Sequence, residues 1–180
     1  MANHFNYGSD SLRIDTVLGL AAGSIRGQLD AAARDQVLRS QAAVQEIVSA
    51  HRTVYGVNTG FGILANTPIS EADTATLQYK ILQSHSVGVG DPIPHEVARL
   101  MLICKVQALA QGYSGVQLTT LERILWHIEE DIIPVVPEKG SVGASGDLAP
   151  LAHLFLPLIG LGEVYYKGIR VRTAELFQQL

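Results

Sequence analysis

Apolar residues at helical spacing predict a chain built mainly from α-helices. One helix is predicted from residue 30 to about 49, where Ala33 and Val37 lie one turn apart. Another is opened by Pro94 at its first position and reaches about Gln111; it is apolar almost all round, so we expect it at the centre of the fold. Further helices are predicted after Asp15 as an N-cap, from Ser70, from Gln117, from Leu148 and after Thr173 as an N-cap.

A few short strands complete the prediction. Residues 163–166 and 169–171 flank Lys167-Gly168, a spacing typical of a β-hairpin with a two-residue turn. After this hairpin the last predicted helical turn still contains Leu180, and domains seldom end inside a helix. The predicted fold class is therefore mainly α with a few short strands, in one domain over residues 1–180 that we expect to be truncated.

The composition is that of a folded domain with little charge. Hydrophobic residues make up 47% of the 180 residues, which excludes intrinsic disorder. Charged residues make up only 17%, whereas about a quarter is usual in soluble proteins. We therefore expect apolar surface that a partner or a further part of the chain covers.

Charge and cysteine content exclude several classes of function. The net charge is −4 and the basic residues are scattered, which argues against nucleic acid as a partner. The one cysteine, Cys104, excludes an internal disulfide framework and fits a reducing compartment. The longest uncharged stretch, 148–162, contains two prolines and is too short to span a bilayer. No membrane partner is expected, and the predicted location is the cytoplasm.

A glycine-rich loop, 140–147, is the first candidate for chemistry. Three of its glycines precede a predicted helix, as in phosphate-binding loops. The Gly-Lys-Ser/Thr and Gly-x-Gly-x-x-Gly patterns of such loops are missing, however. A nucleophile elbow also fails, because Asp147 stands where that motif requires glycine after Ser145. On residue types alone, the simpler interpretation is a turn that enters a helix.

A different reaction suits Ala144-Ser145-Gly146 within this loop. In a tightly bent loop the amide nitrogen of Gly146 attacks the carbonyl carbon of Ala144, and loss of water closes a five-membered imidazolinone ring. Loss of the Ser145 hydroxyl as a second water leaves an exocyclic methylene. Glycine supplies an unhindered nitrogen and unusual dihedrals, serine supplies the oxygen that leaves, and alanine keeps the carbonyl accessible. The product is an electrophile that no ordinary side chain offers.

Two long motifs, in this order, resemble the aromatic amino acid ammonia-lyases. The run 140–153, GSVGASGDLAPLAH, resembles the family signature, in which Ala-Ser-Gly forms the prosthetic group 4-methylidene-imidazol-5-one (MIO). The run 55–62, YGVNTGFG, resembles the family's second motif, which brings a catalytic tyrosine. The resemblance extends from about Leu12 onward. It implies the N-terminal MIO-loop domain of the ammonia-lyase fold, without the long central helical bundle.

Within the family, Ser84-His85 resembles the histidine-specific enzymes, whereas phenylalanine and tyrosine lyases have Phe or His and then Leu there. The approach to the triad, residues 137–143, resembles the same branch. This implies elimination of ammonia from L-histidine to give urocanate, with Ser84 and His85 near the substrate. Without the family, His85 is more simply a structural histidine. The alternatives are a lyase or aminomutase for another aromatic amino acid, or a non-catalytic, self-associating fragment.

The resemblance also assigns roles around the prosthetic group. Autocatalytic closure of residues 144–146 implies an MIO electrophile with no external cofactor and no metal. Tyr55 is the implied base for the β-proton; since a free tyrosine has a pKa of about 10, a tyrosine base needs surroundings that stabilise its phenolate. Asp147 and Gly60 are the implied supports of the MIO, although Asp147 is equally consistent with a helix N-cap.

Family chains are much longer than this one. The resemblance therefore implies a homo-oligomeric parent enzyme, a homotetramer whose sites combine residues from three subunits. It also implies that most groups holding the substrate lie downstream of Leu180. We expect the isolated chain to be inactive, because catalysis needs the substrate held at attack geometry. We also expect the loop at residues 144–146 to stay open in it, since part of the packing that compresses the loop is missing.

Overall fold

A computed structural model of the chain describes residues 3–59, 69, 71–142 and 146–180, and most of its regular structure is helical. Helices α1 to α7 cover Ile14–Ala21, Ala31–Ser49, Glu71–His85, His95–Ala110, Leu118–Glu129, Leu148–Phe155 and Thr173–Phe177. A 3-10 helix, Leu156–Ile159, continues α6. Strands β1 to β7 cover Asn3–Asn6, Ile25–Gln28, Val89–Pro92, Ile132–Pro134, Pro137–Lys139, Glu163–Tyr166 and Ile169–Arg172. The predicted fold class, mainly α with a few short strands, is confirmed.

Helix α4 forms the centre of the core, as its apolar sequence predicts. It contacts α1, α2, α5 and β4. Its buried residues are Ala98, Leu102, Ile103, Val106 and Ala110. The helix is not buried on every side, since Val97 and Cys104 are exposed. Pro94 is its N-cap rather than its first helical residue, so the predicted start was one residue early.

The first two helices begin within two residues of their predicted starts. Helix α2 begins directly after Asp30, whose carboxylate accepts a hydrogen bond from the Ala33 amide at 2.8 Å. This bond satisfies an amide that the helix itself leaves unpaired. The prediction for α1 was wrong: Asp15 already lies inside the helix, and Arg13 is the N-cap. A carboxylate in the first turn still favours the helix through its dipole.

The predicted hairpin near the end of the chain is confirmed. Strands β6 and β7 pair antiparallel, and the turn residues Lys167 and Gly168 have φ values of +51° and +78°. Two consecutive positive φ values characterise the turns that match the twist of paired strands. Strand β4, which the sequence pattern did not predict, adds a third strand by pairing with β6.

Two expectations at the end of the chain were wrong. Thr173 is the first residue of α7 rather than its cap, and its buried hydroxyl donates to the Gly162 carbonyl oxygen at 3.1 Å. Helix α7 ends at Phe177, so Leu180 lies beyond the helix and not inside it.

Strands β3 and β5 position the candidate site. They pair antiparallel, with Val89 opposite Lys139 and Pro92 opposite Pro137. The segment that follows α3 thereby lies beside the segment that leads into the glycine-rich loop. Neither strand was predicted, because both are short and contain glycine or proline, residues that are depleted in strands.

Helix α6 follows the glycine-rich loop and packs on α3 and β5. Pro150 lies in its first turn, as predicted, where a missing amide hydrogen costs nothing. Among the described residues, none of the helices combines the length and the apolar character needed to cross a membrane.

Candidate active site

The predicted site residues divide between two loops and one helix end. Ser84 and His85 are the last residues of α3, Tyr55 lies in the loop after α2, and Gly146 and Asp147 directly precede α6. Gly60, Ala144 and Ser145 lie outside the described residues. Because α3 packs on α6, the Ser84-His85 pair lies on the helix that contacts the one following residues 144–146.

The hydrogen bonds of His85 determine which ring nitrogen carries the proton. Its Nδ1 lies 3.0 Å from the Ile81 carbonyl oxygen and 3.0 Å from Ser84 Oγ. A carbonyl oxygen only accepts, so Nδ1 must carry the hydrogen and Nε2 of the neutral ring holds a lone pair. The Ser84 hydroxyl donates to the same Ile81 oxygen at 3.2 Å. In the neutral form of this half-buried ring, the contact with Ile81 therefore leaves Nε2 as the hydrogen-bond acceptor.

The described end of the glycine-rich loop is sharply bent. Gly146 has φ +78° and Asp147 has φ +57°, so two consecutive residues adopt the left-handed conformation. Asp147 occupies the N-cap position of α6, yet its carboxylate makes no capping hydrogen bond. It accepts instead from the hydroxyl of Ser141, at the other end of the loop. The Ser141–Asp147 hydrogen bond ties the two ends of the loop together.

These residues fit the ring closure that the Ala144-Ser145-Gly146 triad would undergo. The positive φ of Gly146 is a conformation that a side chain would strain. Among the described residues beyond its two chain neighbours, no atom lies within 4 Å of the place where its Cβ would stand. The Ser141–Asp147 hydrogen bond restricts the loop at its described ends. Residues 144 and 145 lie outside the described residues, so the open loop that we expect there stays a prediction.

A buried asparagine organises the loop that carries Tyr55. The Asn58 side chain accepts from the Val54 amide at 2.9 Å and donates to the Arg52 carbonyl oxygen at 2.8 Å. The Asn58 carbonyl also accepts from the Ile69 amide at 2.9 Å. Tyr55 lies inside the turn that these bonds close, with its side chain 62% exposed. Asn58 is 7% exposed, so its amide takes the place of water as the partner of this backbone.

Sequence reasoning assigned no role to Asn58, although it lies within the quoted 55–62 motif. An asparagine between two glycines could have indicated this role, because an asparagine side chain readily forms hydrogen bonds to nearby backbone groups.

We expect Asn58→Ala to open the Tyr55 loop locally. Arg52 contributes the peptide carbonyl that Asn58 holds, and trypsin cleaves the bond after an exposed arginine. Loss of one or two buried hydrogen bonds costs about 1–3 kcal/mol, which raises the population of the open loop about 5- to 150-fold. Tryptic cleavage after Arg52 should accelerate within this range, because cleavage of an open form follows its population.

Cleavage after Arg39, in the middle of α2, provides the control within the same molecule. Asn58→Asp retains an acceptor for Val54 but sets a carboxylate oxygen against the Arg52 carbonyl, so it should also accelerate cleavage. Equal cleavage after Arg52 in Asn58→Ala and the wild type would show that Asn58 does not hold the loop.

Among the described residues, no group of three or more His, Cys, Asp and Glu side chains is placed to bind a metal ion.

One family profile, described as aromatic amino acid lyase, matches residues 12–180. The chain belongs to this family. It is 44% identical to histidine ammonia-lyase from Streptococcus pyogenes over 168 aligned residues. The alignment covers 93% of this chain and 33% of the relative. The chain therefore spans about a third of the length of the curated relatives it matches.

Solved structures of the aromatic amino acid lyase family share the fold over nearly the whole chain. Histidine ammonia-lyase from Trypanosoma cruzi superposes with a TM-score of 0.88 at 30% identity, covering 98% of this chain and 34% of that one. Tyrosine aminomutase from Streptomyces globisporus superposes with a TM-score of 0.87, also at 30% identity, covering 99% and 33%. The predicted ammonia-lyase fold is thus confirmed over nearly the full length of this chain.

Proposed function

We propose that this chain is the N-terminal segment of a histidine ammonia-lyase, which converts L-histidine to urocanate and ammonia. The fixed ring of His85 at the end of α3 supports this proposal most directly, because Nε2 is held as a hydrogen-bond acceptor. The imidazole of histidine carries an N–H that such an acceptor recognises, whereas the ring of phenylalanine carries no donor. The phenol O–H of tyrosine can also donate to this acceptor, so tyrosine is separated from histidine by the turnover experiment below. The 44% identity to the streptococcal enzyme supports the same substrate.

Residues 144–146 would form the MIO, which supplies the electrophilic centre of this reaction. The remainder of the loop shapes that centre. Ser141 and Asp147 hold the loop ends together, and the left-handed conformation of Gly146 bends the chain. We propose no external cofactor and no metal.

Tyr55 is the proposed base. Elimination breaks the C–N bond to the α-amino group and the C–H bond at the β-carbon, so that a double bond forms between the α- and β-carbons. The phenolate oxygen of Tyr55 would take the β-proton, while the amine leaves as ammonia. Asn58 contributes by fixing the backbone on either side of Tyr55.

The rest of the site belongs to the parent enzyme, which we propose to be a cytoplasmic homotetramer. Since this chain spans a third of its relatives, we propose that it is inactive alone and that activity assays require the full-length enzyme.

Steady-state turnover of histidine, phenylalanine and tyrosine by the full-length enzyme tests the proposed substrate. The second candidate is an aminomutase, because the tyrosine aminomutase structure is as similar to this chain as the histidine ammonia-lyase structure. Release of ammonia with urocanate from histidine supports the lyase. Formation of a β-amino acid from tyrosine, without turnover of histidine, supports the aminomutase.

We expect His85→Leu to impair histidine turnover selectively. The leucine side chain fills a similar space but removes the acceptor for the substrate N–H, so kcat/KM for histidine should fall about tenfold or more. Inhibition by glycine, which has no imidazole, should change by less than about threefold. Steady-state kinetics with glycine as the inhibitor measures both values.

Ser84→Ala is the matched control, since it keeps the Nδ1 bond to Ile81 and leaves the His85 ring in place. It should affect kcat/KM much less than His85→Leu. Glycine inhibition that weakens in parallel with histidine turnover would contradict the recognition role of His85.

A further inference from the structure

Gly88 is the point where three segments around the candidate site meet. Beyond the end of α3, the Val87 amide still donates to the His85 carbonyl at 2.9 Å. The next amide, that of Gly88, donates instead to Nε2 of His153 on α6, at 3.0 Å. This side-chain contact joins the end of α3 to the helix that follows the MIO triad.

The junction is packed closely around Gly88, where a Cβ would be nearer to its neighbours than ordinary van der Waals contact allows. A Cβ on Gly88 would lie 3.1 Å from His153 Nε2 and 3.2 Å from the Cβ of Pro137. A Cβ on Gly140, which opens the glycine-rich loop, would lie 3.2 Å from the Gly88 Cα and 3.2 Å from the Cβ of Ala149. The first residue of the loop therefore lies against Gly88, the residue whose amide His153 holds, and against Ala149 of α6.

The contact also fixes the protonation of His153. A backbone N–H only donates, so Nε2 must present its lone pair and the neutral ring carries its hydrogen on Nδ1. A protonated ring would set a second N–H against the Gly88 amide. Burial lowers the pKa of His153, which favours the neutral ring that this contact requires.

We propose that His153 is a positioning residue, which acts through Gly88 to fix the Ser84-His85 end of α3 relative to the loop whose sequence contains Ala144-Ser145-Gly146. This inference rests on the proposed function, because it assigns both elements to one active site. Misplacement of about 1 Å at a reacting centre costs on the order of a hundredfold in rate. A contact at this junction therefore controls the rate without touching the substrate.

Glutamine and asparagine at residue 153 separate the hydrogen bond from other effects. The two side chains share one chemistry, but only glutamine is long enough to place an acceptor near the position of Nε2. We expect hydrogen exchange in the full-length enzyme, followed on a peptide of residues 86–91, to be about tenfold faster at Gly88 in His153→Asn. His153→Gln should remain within about threefold of the wild type. A peptide from α2 should exchange at the same rate in the wild type and in both variants, which would show that the variants are folded.

Turnover should depend on the hydrogen bond between Gly88 and residue 153. For the aromatic amino acid that the wild type turns over, kcat/KM should fall about tenfold or more in His153→Asn and be restored in His153→Gln. Because His153 acts through the end of α3, His153→Asn should cost little further in a His85→Leu background.

Three outcomes overturn the proposal: unchanged exchange in His153→Asn, faster exchange with a wild-type kcat/KM, or a tenfold loss of rate in His153→Gln. If His153→Asn does not fold, the rate of His153→Gln is sufficient to test the proposal. A wild type that turns over tyrosine instead of histidine, with the same pattern of exchange and rate, would refute the proposed substrate while supporting the role of His153.

Discussion

Ser145→Ala is expected to reduce ammonia release by the full-length enzyme to background while the protein stays folded. Ring closure between Gly146 and Ala144 removes one water, and the electrophilic methylene requires that the Ser145 hydroxyl leave as a second. Alanine has no β-oxygen to lose, so no methylene forms. The change removes one atom, which leaves the described packing of α6 and α3 untouched.

Intact mass measures this chemistry independently of turnover. The wild-type enzyme should weigh two waters less than its sequence, and Ser145→Ala should lose at most one. Ser141→Ala separates the leaving oxygen from the shape of the loop: it removes the bond to Asp147 but retains the Ser145 oxygen, so its mass should still fall by two waters even where turnover is reduced. Near-normal turnover by Ser145→Ala would refute the role of the triad.

The parts of the fold that the sequence predicted are those set by local chemistry. Helix α2 follows from a periodic apolar face behind Asp30, and the hairpin follows from a glycine in a two-residue turn. Strands β3 and β5 were missed because their pairing depends on contacts between residues about fifty positions apart. Their sequences, VGDP and PEK, carry no strand signal of their own.

The candidate site shows the same division. The motifs indicated the chemistry of Tyr55, Ser84-His85 and residues 144–147, because that chemistry depends on residue type. The proton position on His85 could not be predicted, since the partner that fixes it is a backbone carbonyl one turn earlier. His153 lies within the 140–153 motif, but its contact with Gly88 exists only once α3 packs on α6.

Tyr55→Phe is expected to lower kcat of the full-length enzyme by two or more orders of magnitude, the usual contribution of a general base. Phenylalanine retains the ring and removes only the oxygen that would take the β-proton. The Asn58 bonds to Val54 and Arg52 involve no atom of Tyr55, so the loop should keep its conformation. KM should change little, because the lost interaction is made chiefly in the transition state.

A deuterium label on the β-carbon of the substrate separates loss of the base from a general loss of activity. If Tyr55 takes the β-proton, its removal makes C–H cleavage the slow step, and the isotope effect on kcat should rise in Tyr55→Phe. Tyr79→Phe is the matched control, since Tyr79 is also an exposed tyrosine, on α3, and has no proposed role in proton transfer. A loss of less than about tenfold in Tyr55→Phe, with an unchanged isotope effect, would place the base elsewhere.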